Sequence, residues 1–143
     1  MCGRSFRRFA AAAAFSAAAV IFMPTARAQG RLAPPESVKC DPNHLTSFTG
    51  RVLSYRRKPG RVTLRVRTDE ETTESFTLRF GKRADAARWF LMRGESFERT
   101  DWALIERRRY QLRPRMRATV WVCDDGSNPT IDWRPGERGG TTF

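Results

Sequence analysis

The sequence predicts a small, mainly β domain carrying one or two helices, and three observations point to it. Strict two-residue alternation of apolar and polar side chains recurs in three separate stretches. Residues that favour turns, such as Pro59-Gly60 and Asp124 to Pro129, separate the extended stretches. Helix-type spacing is confined to the middle of the chain.

Residues 1–28 read as an export signal. Arg4, Arg7 and Arg8 form a basic start, Phe9 to Met23 an apolar run, and Pro24 a break. Ala26-Arg27-Ala28 then offers a peptidase site before Gln29. The run falls short of the roughly 20 apolar residues that span a bilayer, so no stable membrane insertion is expected after cleavage. Residues 29–44 are rich in Pro and polar side chains and read as an extended lead-in.

The folded domain is expected over 45–134. Thr46 to Tyr55 has strand composition and is followed by the turn Lys58-Pro59-Gly60-Arg61. Arg61 to Thr68 sets Val62, Leu64 and Val66 against Arg61, Thr63, Arg65 and Arg67. Glu74 to Phe80 repeats the pattern with Phe76, Leu78 and Phe80 inward. These three strands predict a meander. Arg83 to Arg93 reads as a helix ended by Gly94, and a shorter helix is expected from Thr100 to Arg107–Arg109. Arg115 to Cys123 alternates again, with Arg115, Arg117, Thr119 and Trp121 on the outward side. A last strand holds Ile131 and Trp133, and residues 135–143 read as a disordered tail.

Charge and cysteine usage add constraints. The chain has a net charge of +12, and loss of the four arginines in the signal leaves 23 basic against 15 acidic residues. Export leaves two cysteines, Cys40 and Cys123, and an oxidising compartment makes a disulfide the natural reading. A periplasmic or secreted product follows. A metal pair lacks ligands, since His44 is the sole histidine and no CxxC is present.

The order strand, strand, strand, helix, strand, strand resembles the five-stranded Greek-key barrel of the OB-fold, with a helix between strands three and four. The likeness spans roughly Thr46 to Trp133, and a simple α+β meander is the competing architecture. It implies that strands one and four are neighbours, with which a Cys40–Cys123 bridge is compatible. It also implies a ligand surface on strands two and three and on the loops joining strands one to two and four to five.

An enzyme is not expected. His44 has no nucleophile in its sequence context, and Asp69-Glu70-Glu71 and Asp124-Asp125 sit in turns. No Gly-rich phosphate loop follows a strand, so neither cofactor nor metal is expected. Cations, by contrast, cluster. Arg56, Arg57, Lys58 and Arg61 in the first loop, with Arg65, Arg67 and Arg79 on the outward side of strands two and three, would share one surface. Such a surface attracts a polyanion: an acidic glycan, a lipid headgroup layer or a nucleic acid. Outward positions of strands two and three are Arg, Thr and Ser, so the stacking platform usual for single-stranded nucleic acid is missing. The alternative is a cell-envelope interaction protein that docks through Trp121, its charge serving only solvation and steering. A monomer is expected in either case.

Overall fold

The computed structural model describes residues 33–137. The export signal expected over 1–28, the first part of the lead-in and the last six residues of the tail lie outside the described residues. Among those described, no helix is long and apolar enough to cross a membrane.

The fold is mainly β, a mixed seven-stranded sheet with one short helix. The alternating stretches fold as their pattern demands. β1 (Leu45–Lys58), β2 (Arg61–Thr68) and β3 (Thr73–Arg79) form the expected antiparallel meander. β1 is also paired antiparallel with β8 (Arg117–Cys123), so the first strand lies between β2 and β8. β8 pairs antiparallel with β9 (Thr130–Trp133), and the ladder continues through β4 (Phe90–Met92) and β5 (Glu95–Ser96).

The helix expected over Arg83 to Arg93 is replaced by a 3-10 turn, Ala86–Trp89, and by strand β4. Tertiary pairing overrides the local spacing. Phe90, Leu91 and Met92 lie parallel to Ile131, Asp132 and Trp133, and backbone hydrogen bonding along β9 outweighs that of a short helix. Gly94 does not end a helix. With Arg93 at φ 53° and Gly94 at φ 87°, the two residues form the tight hairpin turn between β4 and β5. The second helix is real but brief. A 3-10 turn at Arg99–Asp101 leads into α1 (Trp102–Ile105), and the residues expected to end it become β6 (Glu106–Arg108), paired with β7 (Gln111–Leu112).

The five-stranded ring expected from the OB likeness is not clearly closed: hydrogen bonding runs β3-β2-β1-β8-β9-β4-β5, with β3 and β5 at the ends. The sheet nevertheless coils enough for both halves to share one core. Val62, Leu64, Val66 and Leu78 from one half join Phe90, Val120, Ile131 and Trp133 from the other, with Ile105 of α1 among them. The Asn128 side chain fastens the β3 edge, accepting from Arg79 N–H at 2.9 Å and donating to Arg79 C=O at 2.7 Å. Gly50 permits the tight coil, because a Cβ there would collide with the Arg67 backbone of β2.

Cys40 and Cys123 are joined, with Cα atoms 6.1 Å apart, and the link ties the lead-in to the end of β8. The bridge spans 83 residues of sequence. Chain-entropy arguments for a loop of that order give about 4 to 5 kcal/mol. Reduction, or the C40S/C123S variant, is therefore expected to lower the melting temperature by more than about 10 °C. An unchanged thermal scan under reducing conditions would contradict the structural role of the bridge.

Candidate functional site: a cationic sheet face

β1 decides which cations are free. Its register with β2 slips between Val52 and Ser54, leaving Leu53 as an extra residue in a β-bulge. Since side chains alternate with period two, the insertion exchanges the two faces of the strand beyond it. Before the bulge Phe48, Gly50 and Val52 face the core and Arg51 faces out. After it Tyr55 and Arg57 turn inward while Ser54, Arg56 and Lys58 turn outward.

Cross-strand register then assembles the outward residues into rows. Lys58, Arg61 and Arg79 form one row across β1, β2 and β3. Arg56, Thr63 and Thr77 form the next, then Ser54, Arg65 and Ser75, and finally Arg51, Arg67 and Thr73. Directly opposed residues in antiparallel strands share a face of the sheet, with Cβ atoms about 4.5–5.5 Å apart. The end rows are separated by about 20 Å, given roughly 3.4 Å per residue. The six predicted cations Arg56, Lys58, Arg61, Arg65, Arg67 and Arg79 are thus brought together, all of them exposed, and Arg51 joins them. None of the seven forms an ion pair among the described residues. The row positions on β1–β3 carry no acidic residue, and hydroxyls occupy the places between cations.

Arg57, expected to belong to this group, does not. Its inward turn delivers it to Glu106 of β6, to which Nε and Nη2 donate at 3.0 and 2.8 Å. Tyr55 Oη donates to the same carboxylate at 2.8 Å, as does the Tyr110 backbone N–H at 3.0 Å. The guanidinium lies between two rings, 4.0 Å from the Trp102 centroid and 4.5 Å from that of Tyr110. Burial opposes the charged carboxylate of Glu106, but the bonds from Arg57, Tyr110 and Tyr55 outweigh it and hold the group below the ordinary carboxylate range. Burial, followed by the neighbouring Glu106 charge, pushes the Tyr55 phenol far up, so it stays protonated as a donor. This cluster fastens the β6–β7 hairpin to β1; it is structural.

Trp121 is also absent from the face. It is 3% exposed, opposite Ser47 of β1 and Thr130 of β9. β8 lies in the interior of the sheet and is covered on both sides, so its outward alternation does not mean exposure. Arg117 is buried and donates through Nη2 to Asp69, and Thr119 meets Thr49 at 2.9 Å. Only Arg115, just before the strand, remains exposed. Arg51 could have been found from sequence by extending the alternation of the first strand. The bulge that separates it in phase from Arg56 and Lys58 leaves no comparable trace.

Of the other singled-out groups, Asp69-Glu70-Glu71 forms the β2–β3 turn beside the Arg51-Arg67-Thr73 row, where Asp69 is paired with Arg117. His44 is exposed and its Nδ1 lies 2.6 Å from Asp124. Asp125 accepts from the Ser127 backbone N–H at 2.8 Å. Among the described residues no group of three or more His, Cys, Asp or Glu side chains could hold a metal ion.

The Glu106 cluster yields a test with a definite sign. A folded pKa below the unfolded one contributes stability above the ordinary carboxylate pKa of about 4.3, lost as pH falls through the folded value. Glu106→Gln leaves Arg57 short of its countercharge and is expected to cost about 3 kcal/mol at pH 7. The low end of the range applies because the Arg57 side chain keeps 19% exposure. The gap between variant and parent should narrow as pH falls from about 4.3 through the lowered folded value of Glu106; a gap under about 1 kcal/mol at pH 7, or one that does not narrow in acid, would contradict the assignment. Comparison with protein-family models, with curated proteins and with solved structures finds no match to this chain.

Proposed function

We propose that this is an exported, non-enzymatic binding module whose β1–β3 face holds a linear polyanion, an acidic glycan being the class that suits it best. The observation that carries the reading is the placement of like charges directly opposite one another. Arg61 stands across from both Lys58 and Arg79, and Arg67 from Arg51. Opposed like charges weaken a sheet by a few tenths to about 1 kcal/mol per pair, a cost that an anionic chain laid across the rows would remove. Seven unpaired cations extending over about 20 Å suit a polymer rather than one small anion.

The choice of polyanion follows from what stands between the charges. Ser54, Thr63, Arg65, Ser75 and Thr77 supply hydroxyls and guanidinium forks, which hydrogen-bond carboxylate and sulfate. The rows hold no aromatic side chain on which a base could stack, which disfavours single-stranded nucleic acid. The envelope-docking alternative has lost its anchor, since Trp121 is buried.

An OB-like reading of the coiled sheet is part of the proposal. The shared first strand, the parallel β4–β9 pair and the core common to both halves support it, and the cationic rows then lie on the strands that commonly bind ligands in that architecture. Export through the 1–28 segment is proposed likewise; the disulfide is compatible with an oxidising compartment.

The test is retention on immobilised heparin. Replacing Arg61, Arg65, Arg67 and Arg79 with Ser is expected to bring elution to much lower salt and to flatten the dependence of affinity on salt. A control that removes the same charge elsewhere, Arg83, Arg88, Arg99 and Arg107 to Ser, should elute close to the parent. Equal shifts for the two variants would mean that only net charge matters, and the proposed face would be wrong.

A further inference from the structure

At the Lys58 end of the face the surface dips into a recess of about 270 Å³. Pro59, Phe80 and Ala86 give it apolar walls, and Lys58, Lys82 and Arg109 bring three cations to it from three separate segments. None of these three has an ion-pair partner among the described residues. Among the described residues Asp85 is the one acid in the lining, and its Oδ1 already accepts from the Ala87 backbone N–H at 3.0 Å.

The aromatic wall is built with some strain. Tyr110 sits at φ 69°, a left-handed conformation costly for a bulky side chain. Glu106 holds it there by accepting from its backbone N–H. The outcome is a layered stack: Trp102, the Arg57 guanidinium at 4.0 Å, the Tyr110 ring at 4.5 Å from that guanidinium, then the Arg109 guanidinium at 5.0 Å from the Tyr110 centroid. The innermost cation is used by Glu106. The outermost has no such use, and it lines the recess together with Tyr110.

We infer that this recess seats one anionic sugar residue of the bound chain, so that the sheet face tracks the polymer while the recess selects its chemistry. Small-ligand sites combine apolar walls with a few converging polar groups, and the volume here suits one sugar rather than a larger ligand. The ring of the sugar lies against the apolar wall at Pro59, and its carboxylate or sulfate meets Arg109 and Lys82. Lys58 belongs both to the recess and to the first cationic row, so one chain can occupy both. The inference rests on the polyanion reading of the face.

The experiment compares two double variants of the full exported chain, each lacking two charges: R109S/K82S in the recess and R51S/R67S at the far end of the face. Probes are a heparin-derived tetrasaccharide, an oligogalacturonate tetramer carrying carboxylates alone, and linear polyphosphate of matched charge. Loss of a charged hydrogen-bonding pair predicts that R109S/K82S weakens tetrasaccharide binding about tenfold, and R51S/R67S only about two- to threefold. Polyphosphate, with no sugar ring, should be weakened equally by the two. Parallel loss of the galacturonate tetramer assigns the seat to a carboxylate; loss confined to the heparin fragment assigns it to a sulfate. Equal weakening of the saccharides by the two variants, or a tenfold loss for polyphosphate as well, would overturn the inference. Failure of the face itself is a different result: heparin retention would then be insensitive to the four β2–β3 arginines, whatever the tetrasaccharide does.

Discussion

One inserted residue governs the distribution of charge in this protein. Leu53 breaks the phase of β1, and every side chain after it exchanges sides. An unbroken strand would carry Tyr55 and Arg57 outward and press Arg56 and Lys58 into the core. With the bulge, Arg57 enters the interior, where Glu106 neutralises it, and Arg56 and Lys58 join the exposed rows. Bulges add local twist, and this one lies in β1, which pairs with both β2 and β8.

Two kinds of arginine follow from that division. Arg57, Arg117 and Arg134 are bonded to Glu106, Asp69 and Asp132, and they join elements distant in sequence or hold a strand end. The Glu106 and Asp132 carboxylates are buried, and such a pair is expensive to break, so Arg57 and Arg134 belong to folding rather than to recognition; Arg117 is itself buried against the half-exposed Asp69. Those on the outer face of β1–β3 are exposed and compete with one another for the same space. Net charge alone does not separate the two kinds; position relative to the bulge and to the covered strand β8 does.

Strand content was legible in the sequence because alternation reports one buried face directly. β2 at Arg61–Thr68 has the expected ends, β3 and β8 differ by a residue or two, and β9 holds the expected Ile131 and Trp133. Three features were not legible. The spacing of Ala84, Ala87, Phe90 and Leu91 suits a helix, yet parallel pairing with β9, a partner some forty residues away, decides the outcome. The outward alternation of Arg117, Thr119 and Trp121 carries no sign that successive residues of β8 are buried whichever way they face. Finally, a bulge has no reliable composition, so Arg57 looked like its neighbours. Six of the eight residues expected to bind ligand are nonetheless on one exposed face, because their positions depend on local period and turn geometry rather than on distant partners.

The sorting of arginines by the bulge is most directly tested by NMR of the guanidinium Nε–H groups during addition of a heparin fragment. The account predicts that the Arg57 Nε–H, bonded to Glu106, exchanges slowly with water and does not move, while the signals of Arg51, Arg56, Arg61, Arg65, Arg67 and Arg79 exchange fast and shift together. An Arg57 signal that exchanges and shifts with the others, or an exposed set that stays unmoved while buried arginines respond, would contradict it.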